Sequence, residues 1–291
     1  MNKITRFRAY QLGTPGSSFS YSVDDHFTLI EARLTPMSIR GISAELKLLN
    51  KNDINCLHIT SWDQDHCDYD ELSLILKYFK PWKIEYPGYA PHTDNAIKCK
   101  QLIEAYQGYT ERISPEYINS LSPGEEKKYN NILYNPIYIS DNSNDNSVVQ
   151  LFRQGRFSLL SLGDCEDPAI ARRLINSRMV NETDVLILAH HGADNGFTTR
   201  ELIDAIQPKI AICSSNYDNL FEHPAQFIRD LLYYSGMTLT LALGLLSGCG
   251  AAPVEDPPPA ESAPVVEETA PETTPEANPE ETPAPQSDTT E

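Results

Sequence analysis

Positive charge is missing from the last fifth of this 291-residue chain: residues 236–291 carry 11 Asp and Glu but no Lys or Arg. The formal charge of −18 is therefore uneven, and the first 235 residues hold 30 acidic against 23 basic side chains, a net of −7. That balance excludes a basic stripe able to grip a duplex by its phosphates. Also absent is any C-x-x-C pair among Cys56, Cys67, Cys99, Cys165, Cys213 and Cys249. This argues against a zinc ribbon or a small disulfide scaffold, and for reduced, buried thiols. Met1–Arg8 lacks the apolar core of a signal peptide. The C-terminal apolar run Met237–Leu246 spans ten residues, short of a membrane span. Together these absences predict a cytoplasmic protein with no membrane span.

What is present up to about Tyr234 reads as alternating strands and helices. Phe7–Leu12 and Phe27–Ala32 have strand composition, and the turn-rich Gly13–Ser18 between them lacks the lysine and spacing of a phosphate loop. Ile42–Leu49 has helical spacing, and Cys56–Ile59 is a short buried strand. Asp68 is the expected N-cap of a helix through Phe79, which Pro81 ends. A helix is expected over Ile97–Tyr106 and a long polar loop with short strands near the site's rim over Ser114–Asn146. Strands follow at Val148–Phe152, Phe157–Leu162, Asp184–Ala189 and Lys209–Cys213, with helices at Pro168–Ile175 and Arg200–Ile206. Two similar halves of strands with helices packed outside fit this order.

Three segments are expected: a globular domain over residues 1–235, a short apolar segment over 236–250, and an acidic Pro/Thr-rich tail over 251–291. The tail, with ten prolines, has the composition of a disordered segment. Residues 237–249 resemble a bacterial lipoprotein signal ending at Cys249, which makes a membrane-anchored lipoprotein the alternative location. Such a signal acts at a chain's N-terminus, so a fusion junction is the favoured reading.

The chemistry concentrates in Ser61-Trp62-Asp63-Gln64-Asp65-His66, at the end of the apolar stretch from Ile54. Two carboxylates and an imidazole this close repel or strain unless a cation sits among them. Oxygen ligands beside an imidazole nitrogen suit Zn²⁺, Mn²⁺ or Fe, metals that activate water. Four more elements follow: Asn146-Ser147 before a strand, Gly163-Asp164 and His190-His191-Gly192 at the ends of apolar runs, and Glu222-His223-Pro224 in a late loop. Potential ligands at strand ends form a rigid concave site.

This order of motifs resembles the metallo-β-lactamase superfamily. It is most similar to the soluble hydrolase domain of ComEC-type DNA-uptake competence proteins, over residues 6–232. The resemblance implies an α+β, four-layer αββα fold and a metal-dependent hydrolase of nuclease-like activity. It further implies that Asp65 and His66 bind one metal, that Asp164 bridges two, that His223 completes the first site and that Asp63 serves the second. His190 and His191 would line the pocket, with His191 a candidate ligand, and Asn146 and Ser147 would hydrogen-bond at the site. Ser61 stands where the family has its first motif histidine, Ala193 replaces the serine of H-H-G-S, and Glu222 replaces a glycine. One tight Zn²⁺ (or Mn²⁺) and a second that is weak or absent are therefore expected. Asp63 or Asp65 would orient the water, and His190 or His191 would protonate the leaving group.

A phosphodiester in nucleic acid or a nucleotide is the implied substrate. The competing readings are a non-catalytic metal-binding sensor or interaction module of the same fold, and a lipid-anchored envelope protein. His58, inside a strand, is expected to be a hydrogen-bonded core residue, and Trp62 to pack beneath the metal loop.

Overall fold

The computed structural model describes residues 4–113, 131–134, 140–154, 157–176, 180–181, 183–215 and 219–241. Two six-stranded sheets account for the strands. The first contains β1 (Thr5–Ala9), β2 (Phe19–Val23), β3 (His26–Ile30), β4 (Cys56–His58), β5 (Lys83–Tyr86) and β6 (Tyr109–Arg112), paired in that order. The second is paired in chain order from β7 (Asn131–Tyr134) through β8 (Val149–Gln154), β9 (Phe157–Ser161), β10 (Val185–Ile187) and β11 (Ile210–Cys213) to β12 (Thr238–Leu241). Each sheet begins with three antiparallel strands and continues with three parallel additions. The two halves thus repeat one plan.

Side-chain alternation along the strands builds the layers. In the second sheet Leu151, Leu160, Leu186 and Ala211 pack with α4 (Pro168–Ile175), α5 (Arg200–Ile206) and α6 (Gln226–Tyr234). Their strand neighbours Phe152, Leu159, Val185, Ile187 and Ile212 face the other way and meet Phe19, Tyr21, Val23 and Ile30 of the first sheet. On the first sheet's outer face Leu29, Leu57 and Ile84 pack with α1 (Ser38–Leu48), α2 (Tyr69–Tyr78) and α3 (Asp94–Glu104). Each fully buried large side chain contributes roughly 1.5–3 kcal/mol. The result is the expected four-layer αββα sandwich.

Helix starts follow local chemistry. Asp68 accepts from the amides of Asp70 and Glu71, as anticipated, and Asp167 caps α4 with Pro168 in the first turn. The strands β2, β5 and β6 were not anticipated. β2 is fully buried although its serines break the apolar run: it is paired on both edges, by β1 and β3, and Ser20 bonds the Tyr10 hydroxyl. The boundary expected at residue 235 does not hold for the sheet. Thr238–Leu241 pairs in parallel with β11, and Met237 and Leu239 pack on the core, so the start of the signal-like run is an edge strand. Residues 242–291, with Cys249 and the acidic tail, lie outside the described residues, as does most of the loop expected over Ser114–Asn146. Among the described residues no helix is long and apolar enough to cross a membrane.

Candidate metal centre

Four side chains converge where strands end. Asp65 and His66 follow β4, Asp164 follows β9 and His191 follows β10, so parallel strand pairing brings distant residues to one edge. One ligand atom from each of Asp65, His66, Asp164 and His191 lies within 4.8 Å of all the others. His66 Nε2 is 2.8 Å from Asp164 Oδ2, and His191 Nε2 is 2.9 Å from Asp65 Oδ2 and 3.9 Å from Asp164 Oδ1.

Both imidazoles are oriented from behind. His191 Nδ1 lies 2.9 Å from the Ser214 carbonyl, which can only accept, so Nδ1–H donates there and Nε2 is aimed at the carboxylates, to which it donates when protonated and where it would offer its lone pair to a metal. His66 Nδ1 faces Glu31 Oε1 at 3.2 Å and Thr60 Oγ1 at 3.3 Å. Glu31 also accepts from the Thr60 amide at 3.0 Å and hydroxyl at 2.6 Å. This is a carboxylate–histidine support behind a metal ligand. His66 Nε2 is buried and, despite its nearness to Asp164, makes no hydrogen bond of acceptable direction. An unsatisfied nitrogen among carboxylates fits a shared cation, and the two-imidazole, two-carboxylate set suits Zn²⁺ or Mn²⁺.

The charges are strongly coupled. Burial alone would raise the Asp65 and Asp164 carboxyls, but His66 and His191 hold both below the usual carboxylate range. Burial would likewise lower His66, yet Asp164, Glu31 and Asp65 outweigh it and push the imidazole well above its ordinary value. His191 moves upward for the same reason, with Asp164 and Asp65 overcoming burial. A metal ion would replace these protons as the counter-charge.

The backbone is strained around the site. Glu31, His190, His191 and Glu222 all have left-handed φ, of 71°, 43°, 54° and 54°. Such residues cost about 1–3 kcal/mol each and persist where the surroundings over-determine them. Gly13–Ser18 is more than the hairpin turn expected from sequence. Ser17 donates its amide to the Asp65 carbonyl at 2.9 Å and its hydroxyl to Ser214 Oγ at 2.8 Å, so this turn clasps the metal loop and ties the two halves together. Arg33, paired with Glu71 at 2.7 Å, holds the turn through the Pro15 carbonyl. Gly16, with φ of 132°, has no room for a Cβ, which would stand 2.1 Å from Arg33 Nη1 and 2.6 Å from the Asp65 carbonyl.

Of the expected ligands, the structure brings together Asp65, His66, Asp164 and His191 and leaves Asp63 and His223 outside the group. Asp63 accepts from Ser61 Oγ at 2.9 Å, and Ser61 in turn lies 3.2 Å from the Tyr89 hydroxyl. Burial raises the Asp63 carboxyl against that hydrogen bond. His223 has its backbone held by Asn219, which accepts from its amide at 2.6 Å and donates to its carbonyl at 2.9 Å. Its ring therefore lies between Phe221 and His190 on the wall of the adjoining cavity. Burial and the nearby His190 and His191 lower its pKa.

His190 faces the same cavity with Nδ1 against Glu166, which Asn142 holds at 2.7 Å. Asn146 does not reach the site: its side chain ties the loop at Ser140, accepting from the amide at 2.8 Å and donating to the carbonyl at 3.0 Å. Ser147 Oγ is buried without a partner beneath Gly163, whose missing Cβ leaves room for it. His58 is a core residue bonded to Glu85 at 2.9 Å, and Trp62 packs under the metal loop with its indole nitrogen donating to the Tyr89 carbonyl. Sequence reasoning missed Glu31, Glu166 and Ser214. Glu31 alone left a trace, an acidic residue directly after an apolar strand.

No family model matches the chain. ComE operon protein 3 of Bacillus subtilis is 27% identical over 232 residues, covering 75% of this chain and 27% of the relative. The chain thus spans about a quarter of that curated relative's length. Igni18, a metallo hydrolase from the archaeon Ignicoccus hospitalis, superposes with a TM-score of 0.52 at 11% identity, over 82% of this chain and 95% of that one. A variant of the CmlA β-hydroxylase gives 0.50 at 13% identity, over 80% and 52%. One similar structure is a hydrolase and the other a hydroxylase, so likeness at this level speaks for the fold and not the reaction. The two-sheet sandwich with outer helices is the metallo-β-lactamase fold.

Proposed function

We propose that the chain is a metal-dependent hydrolase that holds one tight metal ion between Asp65, His66, Asp164 and His191 and cleaves a phosphodiester of a nucleotide or nucleic acid. The supporting observation is the convergence of those four ligand atoms within 4.8 Å, with both Nε2 atoms turned inward by the groups behind the rings. When bound, Zn²⁺ or Mn²⁺ supplies Lewis acidity and lowers the pKa of water from 15.7 to roughly 7.

The chain's own residues do the rest. Asp65, on the cavity wall, orients the attacking water. His190, steadied by Glu166, faces the cavity and can pass a proton to the leaving oxygen. The cavity holds about 310 Å³, and among the described residues no Lys or Arg lines its wall. A singly charged diester, neutralised by one metal and by imidazole donors, suits that wall better than a dianionic monoester. The five described cysteines are free and buried, in keeping with a reducing cytoplasmic setting.

A second reading, a metal-binding module without turnover, is supported by the Asp63–Ser61–Tyr89 chain of contacts, which engages the one carboxylate expected to serve a second metal. Metal content by inductively coupled plasma mass spectrometry, for the full chain and an Asp65→Ala/His66→Ala variant, tests both. Near one equivalent, lost in the variant, with hydrolysis of bis(p-nitrophenyl) phosphate, supports the hydrolase. One equivalent without turnover supports the module, and no metal after reconstitution removes both.

A further inference from the structure

Phe221 stands apart from the other exposed apolar residues. Single exposed rings are ordinary on a protein surface. Phe221, however, is 77% exposed while lining the cavity that also contains Asp65, His190 and His191. Its ring lies nearly parallel to His223, at 17° and 5.7 Å between centroids, so one face is covered and the other is open. Beneath it His223 meets His190 edge-on at 5.9 Å, so the ring caps a short aromatic column.

The turn that presents Phe221 is rigidly defined. Asn219 accepts from the His223 amide and donates to its carbonyl, Ser215 Oγ donates to the same carbonyl, and Glu222 sits at a left-handed φ of 54°. A pinned turn that turns a flat apolar ring toward solvent beside this cavity loses burial, and the stack on His223 is the one ring contact it makes among the described residues. Among the described residues the same wall offers no Lys or Arg to hold a polyanion. Recognition of the part of a substrate beyond the scissile group must then come from shape and stacking.

We infer that the open face of Phe221, backed by His223, is a stacking subsite for a nucleobase attached to the scissile phosphodiester, and so selects nucleoside diesters over diesters without a flat ring. This deepens the hydrolase reading and rests on it for the kinetic arm of the test. Base–aromatic stacking is sequence-tolerant, because every base has a π-face. The subsite therefore distinguishes base from no base and does not read sequence.

The test uses the full metal-loaded chain with a thymidine dinucleotide and the matching abasic diester. The ratio of kcat/KM for the dinucleotide over the abasic diester should fall roughly ten-fold in Phe221→Ala, the scale of one stacked base. Phe221→Leu, which keeps apolar bulk without a flat ring, should fall with it, whereas Phe221→Trp should keep the preference. In Phe221→Trp the added fluorescence should be quenched by the dinucleotide and not by the abasic diester. An unchanged ratio in both Phe221→Ala and Phe221→Leu, or equal quenching by the two diesters, would overturn the subsite. Base-dependent quenching without turnover in any form would uphold the subsite and remove the hydrolase reading instead.

Discussion

Glu31→Gln removes one charge from behind the metal centre while keeping the side chain's shape. Glu31 is 1% exposed and accepts from the Thr60 amide on one oxygen and the Thr60 hydroxyl on the other, with His66 Nδ1 3.2 Å from the second. A glutamine has only one acceptor oxygen. Whichever way it turns, its NH₂ meets a donor, leaving a buried polar group unsatisfied at about 1–3 kcal/mol. The His66 ring then loses the charged acceptor that aims Nε2 into the centre. Loss of such a support typically weakens metal binding 10–100-fold, about 1.4–2.7 kcal/mol.

Because the metal binds the folded state, that loss passes directly into metal-dependent stability. At about 2–4 °C per kcal/mol for a domain of this size, the rise in Tm on adding metal should shrink by about 3–11 °C. Competition with a chromophoric chelator gives the affinity, and thermal scans with and without chelator give the shift. An affinity within about two-fold of wild type, with an unchanged metal-dependent shift, would refute the assignment of His66 as a ligand held by Glu31.

Gly16→Ala should lower Tm by about 5–10 °C, from a strained φ and a displaced Arg33 worth about 2–3 kcal/mol, read by calorimetry. Truncation after Ser235 removes β12 and the packing of Met237 and Leu239, so Tm should fall by several degrees. Burial would raise Glu85, but the His58 hydrogen bond and charge, with Lys83, hold it down from 4.5 to about 2. A depressed carboxyl gives stability that is present above its unfolded value, so this contribution should vanish as pH falls from 4.5 towards 2. Glu85→Gln should flatten that limb of an acid-unfolding curve. In the metal-free protein His66 is raised above 6.5, so metal affinity should climb with pH beyond that value, with proton release measurable by calorimetry in buffers of different ionisation enthalpy.

Much of the architecture was legible where apolar periodicity was clean, as in Phe157–Leu162, Asp184–Ala189 and the Asp68-capped helix. It was illegible where a buried strand carries hydroxyls, as in β2, or where Lys83 and Glu85 form an ion pair inside β5. Thr238–Leu241 looked like part of a signal because composition cannot separate an edge strand from an apolar anchor. For the site, the sequence named Asp65, His66, Asp164 and His191, since charged or imidazole side chains directly after apolar strands have few structural uses. It also offered Asp63 and His223, because spacing reports which residues share a loop and not which atoms meet.

By itself, then, the sequence determined the alternation of strands and helices, the two-part composition and the pool of possible ligands. These depend on local periodicity and side-chain chemistry. The tertiary structure alone decided which ligands converge, that Ser61 engages Asp63 while lying against the Tyr89 hydroxyl, and that Asn219 fixes the backbone of His223 at the cavity wall. Glu31 and Ser214 became visible only when sheet pairing brought them behind His66 and His191. Their role depends on a hydrogen-bond direction across the fold, and no pattern along one chain encodes that direction.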